Sequence, residues 1–257
     1  MNKISKCILA IGLASGLIAT SGMSPADAQL DAGSMTAEEK AAFQKVVRDY
    51  ILENPEIVSE AIERLKAKQR LAEAKADKEA LVTNRAAIFE DADAPVGGNP
   101  RGDVTVVEFF DYRCGVCKRI HPIVSELVKT DSNIRWVYKE WPILGPESVL
   151  AARAVIASRK QGKYLPFHKL MMEANSDYSA PAIMEMAKSV GIDTDHLIKD
   201  MAAAEVDKII SKNYALADKL GLNGTPSFVI GDRLLRGGRD LESLRAIVAE
   251  ARAAKKK

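Results

Sequence analysis

Cysteine is scarce: Cys7, Cys114 and Cys117 are the only three in 257 residues. A small scaffold stapled by disulfides needs more sulfur and more distant pairings, so that class is excluded. Neither sign of charge is in excess, with 37 Lys and Arg against 35 Asp and Glu. That balance argues against a nucleic-acid partner and against a membrane surface. Long apolar runs are missing beyond residue 20, so no membrane insertion is expected. Internal repeats and low-complexity linkers are absent too. Residues 29–92 contain no glycine after Gly33, which suits long helices better than strands and turns.

The one apolar run, residues 7–20, is too short to span a bilayer. Lys3 and Lys6 precede it, and Pro25 and Ala26-Asp27-Ala28 follow it. This is the pattern of a secretory signal peptide, residues 1–28, cleaved after Ala28. Cys7 lies too early for a lipid-modified cysteine at that cleavage site and leaves with the peptide. Two cysteines then remain, both in one Cys114-Gly-Val-Cys117 motif. An exported chain with sulfur only there uses it for chemistry.

The motif sits between two recognisable elements. Residues 104–110, VTVVEFF, are nearly all apolar and β-branched or aromatic, as in a buried central strand. A short turn, Asp111-Tyr112-Arg113, leads into the cysteines and a helical pattern. A strand running into C-x-x-C at a helix start is the redox motif of thioredoxin-like domains. Free amides and the helix dipole there stabilise a thiolate. Cys114 is expected to be exposed and to attack, and Cys117 to be covered and to resolve. A purely structural disulfide would close too short a loop to stabilise much, about 2 kcal/mol. A metal site from Cys114, Cys117 and His121 is the alternative of another class, but no cysteine remains for a fourth ligand. No metal and no cofactor are therefore assigned, the redox group being the Cys114–Cys117 disulfide itself.

The rest divides into an N-terminal helical arm, residues 29–91, and a catalytic domain, residues 92–257. In the arm, Thr36 to Glu39 form a capping box. Phe43, Val46, Val47, Tyr50 and Ile51 follow at helical spacing. Asn54-Pro55 is expected to stop that helix and cap the next, which runs from 55 to about 90. Its stripe of Ile57, Val58, Ala61, Ile62 and Leu65 is expected either to pack on the catalytic domain or, the favoured reading, to self-associate through residues 43–71. In the catalytic domain, a short edge strand is expected within 94–97 and a strand at 134–139. Pro122 is expected to kink the motif's helix. Residues 148–220 are helical in pattern, placing a helical insertion at about 146–221. Strands at 227–230 and 233–236 and a helix at 241–253 close the chain. The order β–CxxC–α–β–helices–β–β–α gives an α/β fold: a thioredoxin-like core with an inserted helical domain and an N-terminal helical oligomerisation arm.

The chain resembles the DsbA family of exported thiol–disulfide oxidoreductases, and within it the suppressor-of-copper-sensitivity protein C (ScsC) branch. The resemblance spans about residues 94–253 and rests on VEFFDYRCGVCK, WPILGPES and GTPSFVIGD. It implies that Thr225-Pro226 is the family's cis-proline loop, which binds the substrate backbone beside the motif. It implies that Glu108 is the family's buried acid, its pKa raised by burial, relaying a proton from Cys117. His121 is expected on a solvated helix face, with possible tuning of the thiolate as its only role. His168 and His196 are given packing or surface roles.

The implied location is the periplasm. Implied partners are unfolded or mis-disulfided exported proteins, a membrane redox partner, and copies of the chain itself, as a trimer. Gly115-Val116 and the threonine before Pro226 lie nearer the disulfide isomerases than DsbA itself. The expected activity is disulfide isomerase or reductase work by a homo-oligomer. Two alternatives stand beside it: a monomeric dithiol oxidase, and a periplasmic copper-binding module with a role in copper tolerance.

Overall fold

The computed structural model describes residues 35–255. The expected signal peptide, with Cys7, lies outside the described residues. Two compact units divide the chain between Arg64 and Leu65.

The first unit contains α1 (Ala37–Glu53). Its start is the expected capping box: Thr36 Oγ1 accepts the Glu39 amide at 3.2 Å, and Glu39 accepts the Thr36 amide at 2.9 Å. Asn54 corrects one expectation. Its amide group and backbone N–H both donate to the Tyr50 carbonyl, so it closes α1 instead of capping the next helix with its side chain. No residue of α1 is buried. Phe43, Val46, Tyr50, Val58 and Ile62 are all exposed.

The next helix, α2 (Glu56–Thr83), begins in the first unit and ends in the second. It stops short of the expected residue 90. Asn84 donates from its side chain to the Ala80 carbonyl at 2.8 Å, a local bond that competes with helix continuation. A separate short helix, α3 (Arg85–Phe89), follows. Leu81 and Ile88 are buried in the core of the second unit. The compact division therefore falls earlier than residue 91, because the end of the helical stretch packs as core.

The second unit is built on a five-stranded sheet, order β1-β3-β2-β4-β5. Its strands are β1 (Val96–Gly98), β2 (Val104–Phe110), β3 (Ile134–Glu140), β4 (Ser227–Ile230) and β5 (Arg233–Arg236). Only β2 and β3 run parallel; the other neighbours are antiparallel. The central position of β2 explains its near-continuous apolar run. Alternation along it sends Val106 to one face, with Ile120 and Val124 of α4 (Gly115–Thr130) and Leu244 of α10 (Leu241–Ala254). Val107 and Phe109 go to the other, with Leu81, Ile88 and Leu216. Glu108 falls on the α4 face by the same alternation. Helix α4 runs through Pro122 without interruption.

Between β3 and β4 lies the helical block: α5 (Pro146–Ala157), a 3₁₀ turn (Ser158–Gln161), α6 (Tyr164–Glu173), α7 (Ala180–Ser189), α8 (Thr194–Met201) and α9 (Ala204–Lys219). Its core is continuous with Phe110, Tyr112, Cys114 and Cys117. The block is thus packed against the C-terminal end of β2. Among the described residues no helix is long and apolar enough to cross a membrane.

Candidate active site

The turn after β2 is fixed by Asp111. Its carboxylate accepts the Arg113 amide at 2.7 Å, the Leu144 amide at 3.0 Å and the Ser148 hydroxyl at 2.8 Å. Its carbonyl accepts the Cys114 amide at 3.1 Å. An aspartate bonding the amide two residues on is an Asx turn. That is the local signal by which Asp111 could have been found from sequence. Buried at 1% exposure, it ties the motif's turn to the loop before α5.

Cys114 then occupies the N-cap of α4. Its sulfur accepts the Cys117 amide at 3.4 Å, and its thiol donates to the Thr225 carbonyl at 3.2 Å. The Thr225–Pro226 peptide is cis. A hydrogen bond from the Cys117 thiol, then one from the Thr225 side chain and the amides of Cys117 and Val116, lower the Cys114 pKa to about 5 against the opposing effect of burial. These donors favour the anion at this sulfur. Cys117 has the opposite environment. Burial first, then its bond to Cys114 and the charge of Glu108, push its pKa up. The two sulfurs are unbonded here. One expectation is corrected: Cys114 is covered, at 7% exposure against 1% for Cys117. The Thr225 carbonyl lies over it.

Glu108 sits in the middle of β2 at 4% exposure. Its carboxylate accepts the Trp136 indole N–H at 3.0 Å. Burial raises its pKa to about 8; the Trp136 bond opposes the rise and the charge of Cys114 adds to it. A carboxyl with a pKa near the working pH, acting on a buried thiol, can accept and return a proton.

His121 is not on a solvated face. It is buried against the ring of His168, centroids 5.5 Å apart, because α6 packs on that side of α4. Burial lowers its pKa, and its Nε2 has no partner. His196 is exposed and pairs with Asp193. Cys114, Cys117 and His121 are not brought together as ligands. Among the described residues no group of three or more His, Cys, Asp or Glu side chains is placed to hold a metal ion.

A second buried acid escaped the sequence. The strand expected to end at Lys139 extends to Glu140, whose Oε1 accepts the Tyr112 hydroxyl at 3.0 Å and the Tyr164 hydroxyl at 2.7 Å. Burial raises its pKa to about 8, the two tyrosine bonds opposing. Tyr112 OH also lies 3.0 Å from Nδ1 of His168. This cluster joins the motif's turn to β3 and α6. No sequence signal pairs residues so far apart.

Comparison with known proteins agrees with this geometry. Residues 105–249 match the DSBA-like thioredoxin domain family, and residues 39–72 match the copper resistance protein ScsC N-terminal domain. A thioredoxin-like oxidoreductase from Silicibacter pomeroyi is 49% identical, with TM-score 0.65 over 66% of this chain and 98% of that one. Proteus mirabilis ScsC in a transitional conformation is 30% identical, with TM-score 0.63 over 86% of this chain and 99% of that one. A Na(+)/H(+) antiporter NhaA 3 from Salinispora tropica is 30% identical over 159 residues, 61% of this chain. The chain spans only 24% of that relative's length.

Proposed function

The chain belongs to the DsbA-like thioredoxin family and has the thiol–disulfide oxidoreductase fold, and from that premise we propose that it exchanges disulfides in exported proteins as a periplasmic isomerase or reductase. The observation that carries this is the opposed pair of sulfurs. Cys114 lies at a helix start with its pKa lowered to about 5, and Cys117 is buried with its pKa raised.

The Cys114 thiolate attacks a substrate disulfide. One substrate sulfur joins Cys114 and the other leaves as a thiolate. For isomerisation, the released thiolate attacks elsewhere in the substrate and a second substrate thiolate displaces Cys114. For reduction, Cys117 loses its proton to Glu108 and attacks the Cys114 sulfur. The Cys114–Cys117 disulfide forms and the substrate leaves reduced. The cis Thr225–Pro226 peptide lies over the sulfur through the Thr225 carbonyl, and an extended substrate strand would bind beside it. The disulfide is itself the redox group, so the reaction draws on no further cofactor.

The exposed stripe of Phe43, Val46, Val58 and Ile62 supports assembly, as a homotrimer. Burying a large apolar side chain is worth about 1.5–3 kcal/mol, so a few per protomer offset association costs at micromolar concentration. Assembly would shield Cys114 from oxidation by a dithiol oxidase and leave it to isomerise. The residues before Gln29 support export, and a membrane redox partner would keep Cys114 reduced.

A second reading, a monomeric dithiol oxidase, is favoured by the low Cys114 pKa, since a stable thiolate makes the disulfide oxidising. Refolding of a scrambled-disulfide protein, alongside light scattering of the same sample, separates the two. Recovery of native pairings by an oligomer is the expected result. A monomer that oxidises dithiols without reshuffling them would decide for the second reading.

A further inference from the structure

Lys118 follows the second cysteine, and the exchange steps leave it unused. A lysine on a helix surface ordinarily sends its ammonium into water. That of Lys118 turns across to the helical block. It donates to the carbonyls of Met171 at 3.2 Å, Met172 at 3.3 Å and Ala174 at 2.6 Å, and it meets the Tyr178 hydroxyl.

These carbonyls form the last turn and C-cap of α6, a turn with no basic residue of its own. They lack intrahelical partners and carry the negative end of the helix dipole. Lys118 supplies the missing cation from another element. The Tyr178 ring also faces it, with the ammonium 4.9 Å from the centroid. Tyr178 donates its own hydroxyl to the Met171 carbonyl at 2.7 Å. Its φ of 57° is the one positive value among non-glycine described residues, a conformation that persists where surrounding contacts over-determine it.

We propose that Lys118 is a positioning residue for the resolving step. It locks residues 171–178 onto the active-site helix and places a positive charge beside Cys117 as that sulfur becomes an anion. This rests on the exchange function proposed for the cysteine pair. In the step concerned, a thiol R–SH is held as a Cys114–S–S–R disulfide. Cys117 gives up its proton, its sulfur bonds to that of Cys114, the Cys114–S–R bond breaks, and R–S⁻ leaves and takes up a proton.

The groups that act on Cys117 are Cys114 on the same helix end, Glu108 from β2, the Asp111 backbone before the motif, and Lys118, its neighbour in the chain, whose charge couples to it. Those around Lys118 add Tyr178 and His121. Lys118 is the cation coupled to Cys117, and its charge adds to the Asp111 backbone bond in favouring the Cys117 thiolate.

The test uses the full-length chain with glutathione attached to Cys114, and follows glutathione release by Cys117 from pH 5 to pH 10. An opposite charge coupled to a thiol moves its ionisation by about one unit, about tenfold in thiolate at fixed pH. Lys118→Gln keeps a donor for the carbonyls but loses the charge. Its release at pH 7 should fall about tenfold and its pH profile should move up about one unit. Lys118→Arg, which keeps the charge, should retain the wild-type profile. Lys118→Met, which loses both, should speed amide hydrogen exchange across residues 171–178 about tenfold. A Lys118→Gln profile that overlays the wild type overturns the charge role. Unchanged protection in Lys118→Met overturns the lock. A wild type that releases no glutathione overturns the exchange function and the charge role together, while the amide-exchange arm still decides the lock.

Discussion

Glu108→Gln should stabilise the oxidised protein at pH 8 and destabilise it by about 1–3 kcal/mol at pH 4, where only the cost of its unpaired amide remains. Burial lifts the Glu108 pKa from 4.5 to about 8. The folded protein then holds a proton that the unfolded chain releases above about pH 4.5. Fewer protons are bound in the unfolded state, so stability falls as pH rises from there to about 8 and levels off beyond. At about 1.4 kcal/mol per pKa unit, the full effect is about 5 kcal/mol. Glutamine removes it and can still accept the Trp136 N–H. Its new amide N–H group has no evident partner in an apolar strand, which costs about 1–3 kcal/mol. The net gain expected at pH 8 is about 2–4 kcal/mol.

The oxidised form is the one to use. In the reduced form the charge of Cys114 itself raises the Glu108 pKa, so the titration of Cys114 does not cancel between wild type and variant. Glu140, also raised to about 8, is common to both proteins and cancels in the difference. Urea unfolding followed by circular dichroism at pH 4, 6 and 8 is sufficient. A variant less stable than wild type at pH 8, or a difference that does not change with pH, would refute the reasoning. It would mean that the folded state stabilises the Glu108 carboxylate as a charge.

Thiolate absorbance of the reduced protein should titrate with a midpoint near pH 5, the value to which Cys114 is lowered; a midpoint above 7 contradicts the donor set around its sulfur. The disulfide should accordingly be oxidising, at about −120 to −220 mV against glutathione, and a value near −270 mV would refute that. Asp111→Ala, which removes the acceptor of three hydrogen bonds, should cost about 2–4 kcal/mol in denaturant unfolding, and a loss under 1 kcal/mol would show that the turn holds without it. Val46→Glu with Ile62→Glu should dissociate the oligomer in light scattering, and an unchanged mass would exclude that stripe as the interface.

The parts legible in the sequence were those set by local pattern. The apolar run of β2, the C-x-x-C at the start of α4 and the strands at 227–230 and 233–236 each signal over a few adjacent residues. So does the Thr36 capping box. The parts that were not legible depend on partners distant in the chain. Glu140 looks like a strand-end surface acid until Tyr112 and Tyr164 are folded against it. His121 looks solvated until α6 covers it. Lys118 reads as a helix-surface lysine until residues 171–178 return over it. Cys114 is expected to be open because thioredoxin-like motifs end at a helix start, but the Thr225 carbonyl covers it from 111 residues away. The break at Asn84 was hidden for a different reason. Asparagine is only a weak helix breaker, and its bond back to Ala80 is one of several it could have made.

The account stands on Cys114 as the attacking sulfur and Cys117 as the resolving one. Trapping tests this most directly: reduced Cys117→Ser is incubated with a protein substrate carrying scrambled disulfides, quenched in acid, and its mixed disulfides are mapped by mass spectrometry. Substrate joined through Cys114, accumulating in Cys117→Ser and absent from Cys114→Ser, is the predicted result. No adduct, or an adduct that turns over as fast as in the wild type, would contradict it.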